Sequence, residues 1–376
     1  MRFDRSAHAP ARVLLEVCGN PSRACGLSLD EWDLVVRAAR SAKLLATLGA
    51  RLAAERLLPR LPRAVADAME SEAALARYRD QMARLELRRV ARVLAPLDVP
   101  IVLLKGVAYL IEGLAIAGGR LLADVDILVP RDRLEAAERA LVQAGWRSSD
   151  LDELDQRYYR EWSHELPPLR FPDHPLELDV HHTILPVTGR LHPDAAALFA
   201  ASRAAKLEGF RVLSPEDQVL HACVHLFQDS DLSNRLRDLI DVDGLARELG
   251  RDEAFWDRLL ARSRQHGLDR PLWYALHFAA DALGTTVPRR AFDALVDALP
   301  SRIARALMDR LLPLALLPSH PDGLPPLRVR LSRAAMRARY QWLRLPPRLL
   351  ATHALGKAFR GLRMRLSPAT PEPSPH

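Results

Sequence analysis

Asp124 and Asp126 stand one residue apart inside the apolar run 123–129, which Pro130 closes. An aliphatic run of this length, ended by a turn residue, predicts a buried strand. On a strand, residues i and i+2 share a face, about 6.6 Å apart along the backbone. The two carboxylates therefore lie side by side, and Val125, Ile127 and Val129 take the opposite face. Burying two like charges together is costly unless something positive sits between them. A divalent cation is the simplest such partner, and hard oxygen ligands favour Mg²⁺. The same tripeptide also serves in solvated turns and helix caps, so the flanking segments decide.

Those segments divide the chain. Ser28 and Glu31 form a capping box, followed by helical periodicity through Trp32, Val35, Val36, Ala39, Leu44 and Leu45. A second helix is predicted from Pro62 to Ala95, stopped by Pro96. Residues 1–95 thus read as a helical region. From Val99 to Leu104 the chain turns β-branched and aliphatic, a strand, with a helix from Val107 to Ala117 broken at Gly118 and Gly119. Arg133 to Ala144 is an amphipathic helix ended by Gly145. A loop and helix occupy 148–162. Two more strands are expected over 163–171 and 176–183, joined by a turn at Pro172–Pro175.

The middle, 96–190, is therefore expected to be a β-α-β-α-β-β core. The fold class is α+β: a small mixed sheet with helical regions before and after it. From about 192 the pattern is helical again. It gives a domain over 191–325 with helices starting at Ser214 and covering 231–248, 252–265, 269–284 and 289–300. A basic helical extension, 326–366, and a Pro- and Ser-rich disordered tail, 367–376, complete the order.

Glu177, Asp179 and His181 alternate along the second of the late strands and share a face, opposite Leu178 and Val180. Asp179, brought beside Asp124 and Asp126, would complete a three-carboxylate set of the kind that two-metal phosphoryl transfer uses. Lys105 and Gly106 stand at a strand-to-helix junction. There glycine permits close approach of a ligand, the helix start offers N–H groups to an anion, and the lysine adds charge. Arg120, four residues before Asp124, is placed to meet a phosphate or the carboxylates.

Taken together these residues resemble a family. The pieces are Leu104-Lys105-Gly106, then Arg120, Asp124, Asp126, Leu128 and Val129. A helix ending in Gly145-Trp146, a strand opening at His164, and Glu177, Asp179 and His181 follow. Ser214 to Asp217 with His221 and His225, and then Arg237-Asp238, complete the set. In this order they resemble uncharacterised bacterial nucleotidyltransferase-like proteins of the polymerase-beta superfamily, over roughly 28 to 245. The resemblance implies an Mg²⁺- (or Mn²⁺-) dependent enzyme that moves a nucleoside monophosphate from an NTP to an acceptor hydroxyl or phosphate. Asp124, Asp126 and Asp179 would hold the metal and act in catalysis. Lys105, Gly106, Arg120, His164 and His181 would bind substrate. The acceptor, whether small molecule, nucleic acid or protein, is not specified. Val107 stands where the superfamily often has serine, and the gap from Gly106 to Asp124 is longer than usual. The first departure supports an alternative: a non-catalytic member that binds a nucleotide or partner, accessory to a surface-polymer or peptide pathway.

Other readings are narrowed by the residues themselves. His221 and His225 have the spacing of a helical zinc pair, yet Ala222 stands where a metalloprotease carries its glutamate. They read instead as satisfied helix histidines or, with Asp238, as lining of the sheet's open face. Trp32 and Trp146 are expected in the core. Three cysteines, Cys18, Cys25 and Cys223, have no metal spacing and leave an odd count, so a disulfide framework is not expected. No signal peptide or span-length apolar segment is seen, and a cytoplasmic location is expected. The net charge is +7, and no acidic residue falls between Asp322 and Glu372. Residues 328–365 could meet an anionic membrane surface or an acidic partner.

Overall fold

The computed structural model describes residues 9–148, 159–160, 162–227 and 232–346. The expected helix and loop of 148–162 fall largely outside these residues. So do the tail at 367–376 and the second half of the basic extension. No helix among the described residues is long and apolar enough to cross a membrane.

Four helices precede the sheet: α1 (Ala9–Gly19), α2 (Leu29–Ser41), α3 (Leu45–Ala54) and α4 (Arg63–Leu94). Ser28 and Glu31 close their capping box at the start of α2, a feature that stabilises a helix by about 1 kcal/mol. The periodicity that runs through Leu45 belongs to two helices. Lys43, at φ 58°, turns the chain between them, and a left-handed residue cannot continue a helix. Trp32 is buried.

The sheet has seven strands: β1 (Val102–Leu103), β2 (Asp124–Leu128), β3 (Arg147–Ser148), β4 (Leu169–Arg170), β5 (Glu177–His181), β6 (Arg203–Ala204) and β7 (Arg211–Val212). Their order is β3-β4-β5-β2-β1-β7-β6. It is mixed: β2 pairs parallel with β5 and antiparallel with β1, and β1 pairs parallel with β7. Helix α5 (Lys105–Glu112) links β1 to β2, and α6 (Leu134–Gln143) links β2 to β3. Helix α5 is shorter than its periodicity suggests, because Gly113 at φ 69° ends it.

Two additions depart from the β-α-β-α-β-β expectation. Strand β3 adds an edge beside β4. The region after 192 is not helical throughout, since β6 and β7 form a hairpin there on the far side of β1. Gly209, at φ 83°, lets the hairpin turn. Strands of two residues carry no readable alternation, which is why periodicity missed them.

After helix α7 (Ala195–Ala201) and the hairpin come α8 (Pro215–His225), α9 (Leu236–Leu249), α10 (Glu253–His266), α11 (Asp269–Leu283), α12 (Arg289–Ala294), α13 (Arg302–Leu316) and α14 (Leu327–Arg344). Ser214 caps α8 by accepting from the Asp217 N–H, with Pro215 in the first turn. Helix α14 packs on α13 and turns Val329, Ser332, Met336 and Tyr340 inward.

One core joins these layers. Val125, Ile127, Leu178 and Val180 are fully buried on the apolar face of β2 and β5. Helix α4 packs against β2 and brings Leu87, Val90 and Leu94 into the same core. Trp146 is buried as expected and donates from Nε1 to Glu86 Oε1 at 2.6 Å. The other face of β2 and β5 carries charge.

Candidate functional site

The register of the central strands builds the site. In the parallel pair, Asp124 lies opposite Glu177, Asp126 opposite Asp179, and Leu128 opposite His181. Side chains opposite one another in register share a face, so Asp126, Asp179 and His181 converge. Their donor atoms lie within 4.8 Å of one another. Asp124 lies one pleat repeat further along. The three-carboxylate set does not close to that distance, whereas the set with His181 does.

Lys105 enters from the neighbouring strand. The Leu104 N–H donates to the Asp126 carbonyl at 3.0 Å, so the chain leaves β1 beside Asp126. Lys105 then takes φ 48° at the first position of α5. A non-glycine residue there is strained by about 1–3 kcal/mol, a cost that surrounding contacts must hold. The holding contact is an ion pair, Lys105 Nζ to Asp126 Oδ1 at 2.7 Å. His181 Nε2 meets the same oxygen at 2.9 Å.

The site's charges are unevenly compensated. Burial alone would raise Asp126, but Lys105 and His181 outweigh it and hold the carboxyl well below its usual range. Burial also opposes the charge on Lys105, yet Asp126, Asp124 and Glu165 raise it. For Asp179, Lys105 pulls downward as it does for Asp126 but is outweighed. Its Oδ1 is buried without a hydrogen-bond partner. Burial, then Asp126, Glu165 and Asp124, push it well above the ordinary carboxylate range. Burial and Asp126 raise Asp124 in the same sense, against Lys105, Arg237 and Arg120.

These donors fit a divalent ion. An orphaned carboxylate oxygen next to a second carboxylate is relieved by a cation bound between them. Asp126 and Asp179 would hold it, with His181 and Asp124 beside them.

The remaining predicted residues are placed as follows. His164 lies next to the triplet, its ring centroid 5.2 Å from that of His181. Burial, then His181 and Lys105, hold it well below the usual imidazole range. Gly106 is buried within α5. A side chain there would meet Leu122 Cδ2 at 2.5 Å and Arg120 Nε at 2.9 Å. Its lack of a side chain is used by the packing of the Arg120 segment. Arg120 is itself buried, ion-paired to Asp241, with its guanidinium 5.6 Å from the Tyr109 ring centroid. It is therefore committed to a helix of the C-terminal part. Val107 is in the core, 1% exposed.

Helices α8 and α9 close the open face. His221 is buried, and burial followed by Lys105 depresses it well below the usual range. His225 Nδ1 lies 3.3 Å from Asp238 Oδ2, and burial and then Lys105 bring its pKa down to about 4. Arg235 donates to the same Asp238 oxygen at 3.0 Å. The two histidines thus face the Lys105 side without forming a metal pair of their own. Sequence reasoning missed Glu165, which bridges to His181 across the sheet, and Asp241, the partner of Arg120. The His164-Glu165 dipeptide was the only local sign of the first.

Comparisons with curated proteins and with solved structures find no match. A family model does match, over residues 28–284, more than half of the chain and inclusive of every residue of the site above; by that match the chain belongs to the family described as uncharacterised nucleotidyltransferase.

Proposed function

We propose that the chain is a divalent-metal-dependent nucleotidyltransferase that moves a nucleoside monophosphate from an NTP to an acceptor hydroxyl or phosphate. The observation that carries this reading is the parallel register of Asp126 and Asp179, which leaves a buried carboxylate oxygen without a partner. When bound, Mg²⁺ or Mn²⁺ would supply charge neutralisation to the triphosphate and to the departing pyrophosphate. In this reading Lys105 leaves Asp126 and pairs with a phosphate oxygen. The acceptor oxygen attacks the α-phosphorus, the bond from that phosphorus to the β-phosphate oxygen breaks, and pyrophosphate leaves. Asp179, whose carboxyl is raised, takes the acceptor's proton. Asp124, one pleat along, helps hold the charge, and His181 and His164 orient the acids and the acceptor.

The test is transfer from labelled ATP, CTP, GTP and UTP, with and without Mg²⁺ or Mn²⁺, to small-molecule, RNA and protein acceptors. Asp124→Asn and Asp126→Asn are each expected to lower transfer by about 10³-fold. Transfer that survives both substitutions at the native rate would remove the mechanism.

Two observations favour a second reading. Lys105 already neutralises Asp126 at 2.7 Å, and Val107 offers no hydroxyl. A member that binds a nucleotide without turnover would keep that ion pair. Nucleotide titration separates the two: binding that is indifferent to Mg²⁺, with no transfer to any acceptor, selects the second reading.

A further inference from the structure

We propose that His164, Glu165 and His181 form a site for a divalent transition-metal ion, selecting Zn²⁺ over Mg²⁺ and distinct from the acidic pair. This site goes beyond nucleotide transfer and does not depend on it.

The backbone sets the three residues together. An antiparallel bridge puts Glu165 opposite His181, and the His182 N–H donates to the His164 carbonyl at 2.9 Å. His181 is fully buried. Its Nε2 lies 2.9 Å from Asp126 Oδ1, and a carboxylate there can only accept. Nε2 therefore carries the hydrogen, and the lone pair of a neutral ring is at Nδ1. That Nδ1 has no hydrogen-bond partner, and Glu165 Oε2 lies 3.4 Å from it. A ring nitrogen left without a partner in a fully buried imidazole, 3.4 Å from a carboxylate oxygen, is the arrangement a bound cation would complete.

The spacing fits an ion. His164 Nε2 lies 3.7 Å from the same Glu165 oxygen, and all three donors fall within 4.8 Å of one another. Ligands about 2.1 Å from a tetrahedral ion stand about 3.4 Å apart. Asp126 also supplies the outer contact that such sites use: a metal-bound histidine commonly donates its other N–H to a carboxylate, which fixes the ring and its tautomer. Two imidazoles and one carboxylate suit Zn²⁺ better than Mg²⁺, which prefers an all-oxygen shell, and they leave a position open. The rival arrangement is an imidazolium at His181 shared between Asp126 and Glu165, which would exclude a metal.

The experiment uses the full chain stripped of metal by a chelator. Zn²⁺ is titrated in competition with a chromophoric chelator, and Co²⁺ is titrated while its visible ligand-field bands are read. One Zn²⁺ per chain at micromolar affinity or tighter is expected, undisplaced by millimolar Mg²⁺, with Co²⁺ bands of a nitrogen- and oxygen-ligated ion. Glu165→Gln and His164→Ala should each weaken Zn²⁺ by about 10- to 100-fold. Asp124→Asn, which removes a transfer carboxylate, should change it by less than about threefold. Circular dichroism on each variant checks folding, and the Co²⁺ spectrum of the native chain stands without any variant. No saturable Zn²⁺ binding below millimolar, or wild-type affinity in both Glu165→Gln and His164→Ala, overturns the proposal. The outcome is independent of whether transfer is ever detected.

Discussion

Asp217 and Asp179 are both carboxylates drawn out of water, and the chain treats them oppositely. Asp217, at the start of α8, is fully enclosed and held by both arms of Arg262, at 3.0 Å to one oxygen and 2.5 Å to the other. His266 lies 3.4 Å away. Burial would raise its carboxyl, but His266, Arg262 and Ser214 together hold it below the usual range. Among the described residues no arginine pairs with Asp179; one of its oxygens is without a partner, and its carboxyl is pushed well above the usual range. A carboxylate that is fully compensated holds helices together. One that is left short costs stability, and a fold retains it where a ligand completes it.

The largest expected effect lies on the compensated side. Arg262→Ala strands the buried Asp217 charge and should cost about 3 kcal/mol in urea unfolding, since breaking a buried pair leaves an unpaired ion. Added Mn²⁺ should restore none of it. Lys105→Met makes the matching cut on the other side. It should cost about 2 kcal/mol, less because His181 still meets Asp126. Here millimolar Mn²⁺ should restore most of the loss, and transfer should fall by about 10²-fold. If Mn²⁺ fails to rescue Lys105→Met, the ammonium is a structural partner like Arg262, and the contrast between the two regions collapses.

A smaller effect is acid dependence. A carboxyl lowered by folding contributes stability above its unfolded value, here about 3.8, and loses it as pH falls through the folded value. The groups facing Asp217 are Arg262, His266 and the Ser214 hydroxyl. Asp217→Asn should therefore be clearly less stable than the native chain at pH 7. The gap should narrow below pH 4 by about 1.4 kcal/mol for each unit of the shift. Urea midpoints at pH 3 and pH 7 measure this. A gap that stays constant would mean that Asp217 is held no better folded than unfolded.

How much of this was legible in the sequence depends on how local each feature is. Strands β2 and β5 announce themselves, because five residues alternate charge against Val, Ile and Leu. Asp124, Asp126, Asp179 and His181 came with them. The two-residue strands β3, β6 and β7 leave no periodic trace, so they went unread and the hairpin at 203–212 was taken for helix, whereas β1 and β4 lie inside the stretches 99–104 and 163–171 that read as strands. Arg120 was visible as a residue, but its partner Asp241 lies 121 positions away, and such a pairing is fixed by tertiary packing alone. Glu165 was hidden for the same reason: its neighbour His181 comes from another strand. Val107 stood in the expected phosphate-contact position by motif, yet the turn of α5 sends it into the core. The basic stretch after Asp322 was visible as charge, while the burial of Val329, Met336 and Tyr340 on α14, a helix that packs on α13, shows that part of it turns one face inward.

The most direct measurement of the central claim is urea unfolding of the native chain and of Asp179→Asn, each with and without Mn²⁺. If Asp179 is a charge left uncompensated for a ligand, the variant without Mn²⁺ is at least as stable as the native chain, and only the native chain gains when Mn²⁺ is added. A variant that is less stable by about 2 kcal/mol without the ion, or that gains as much from Mn²⁺ as the native chain, would contradict it.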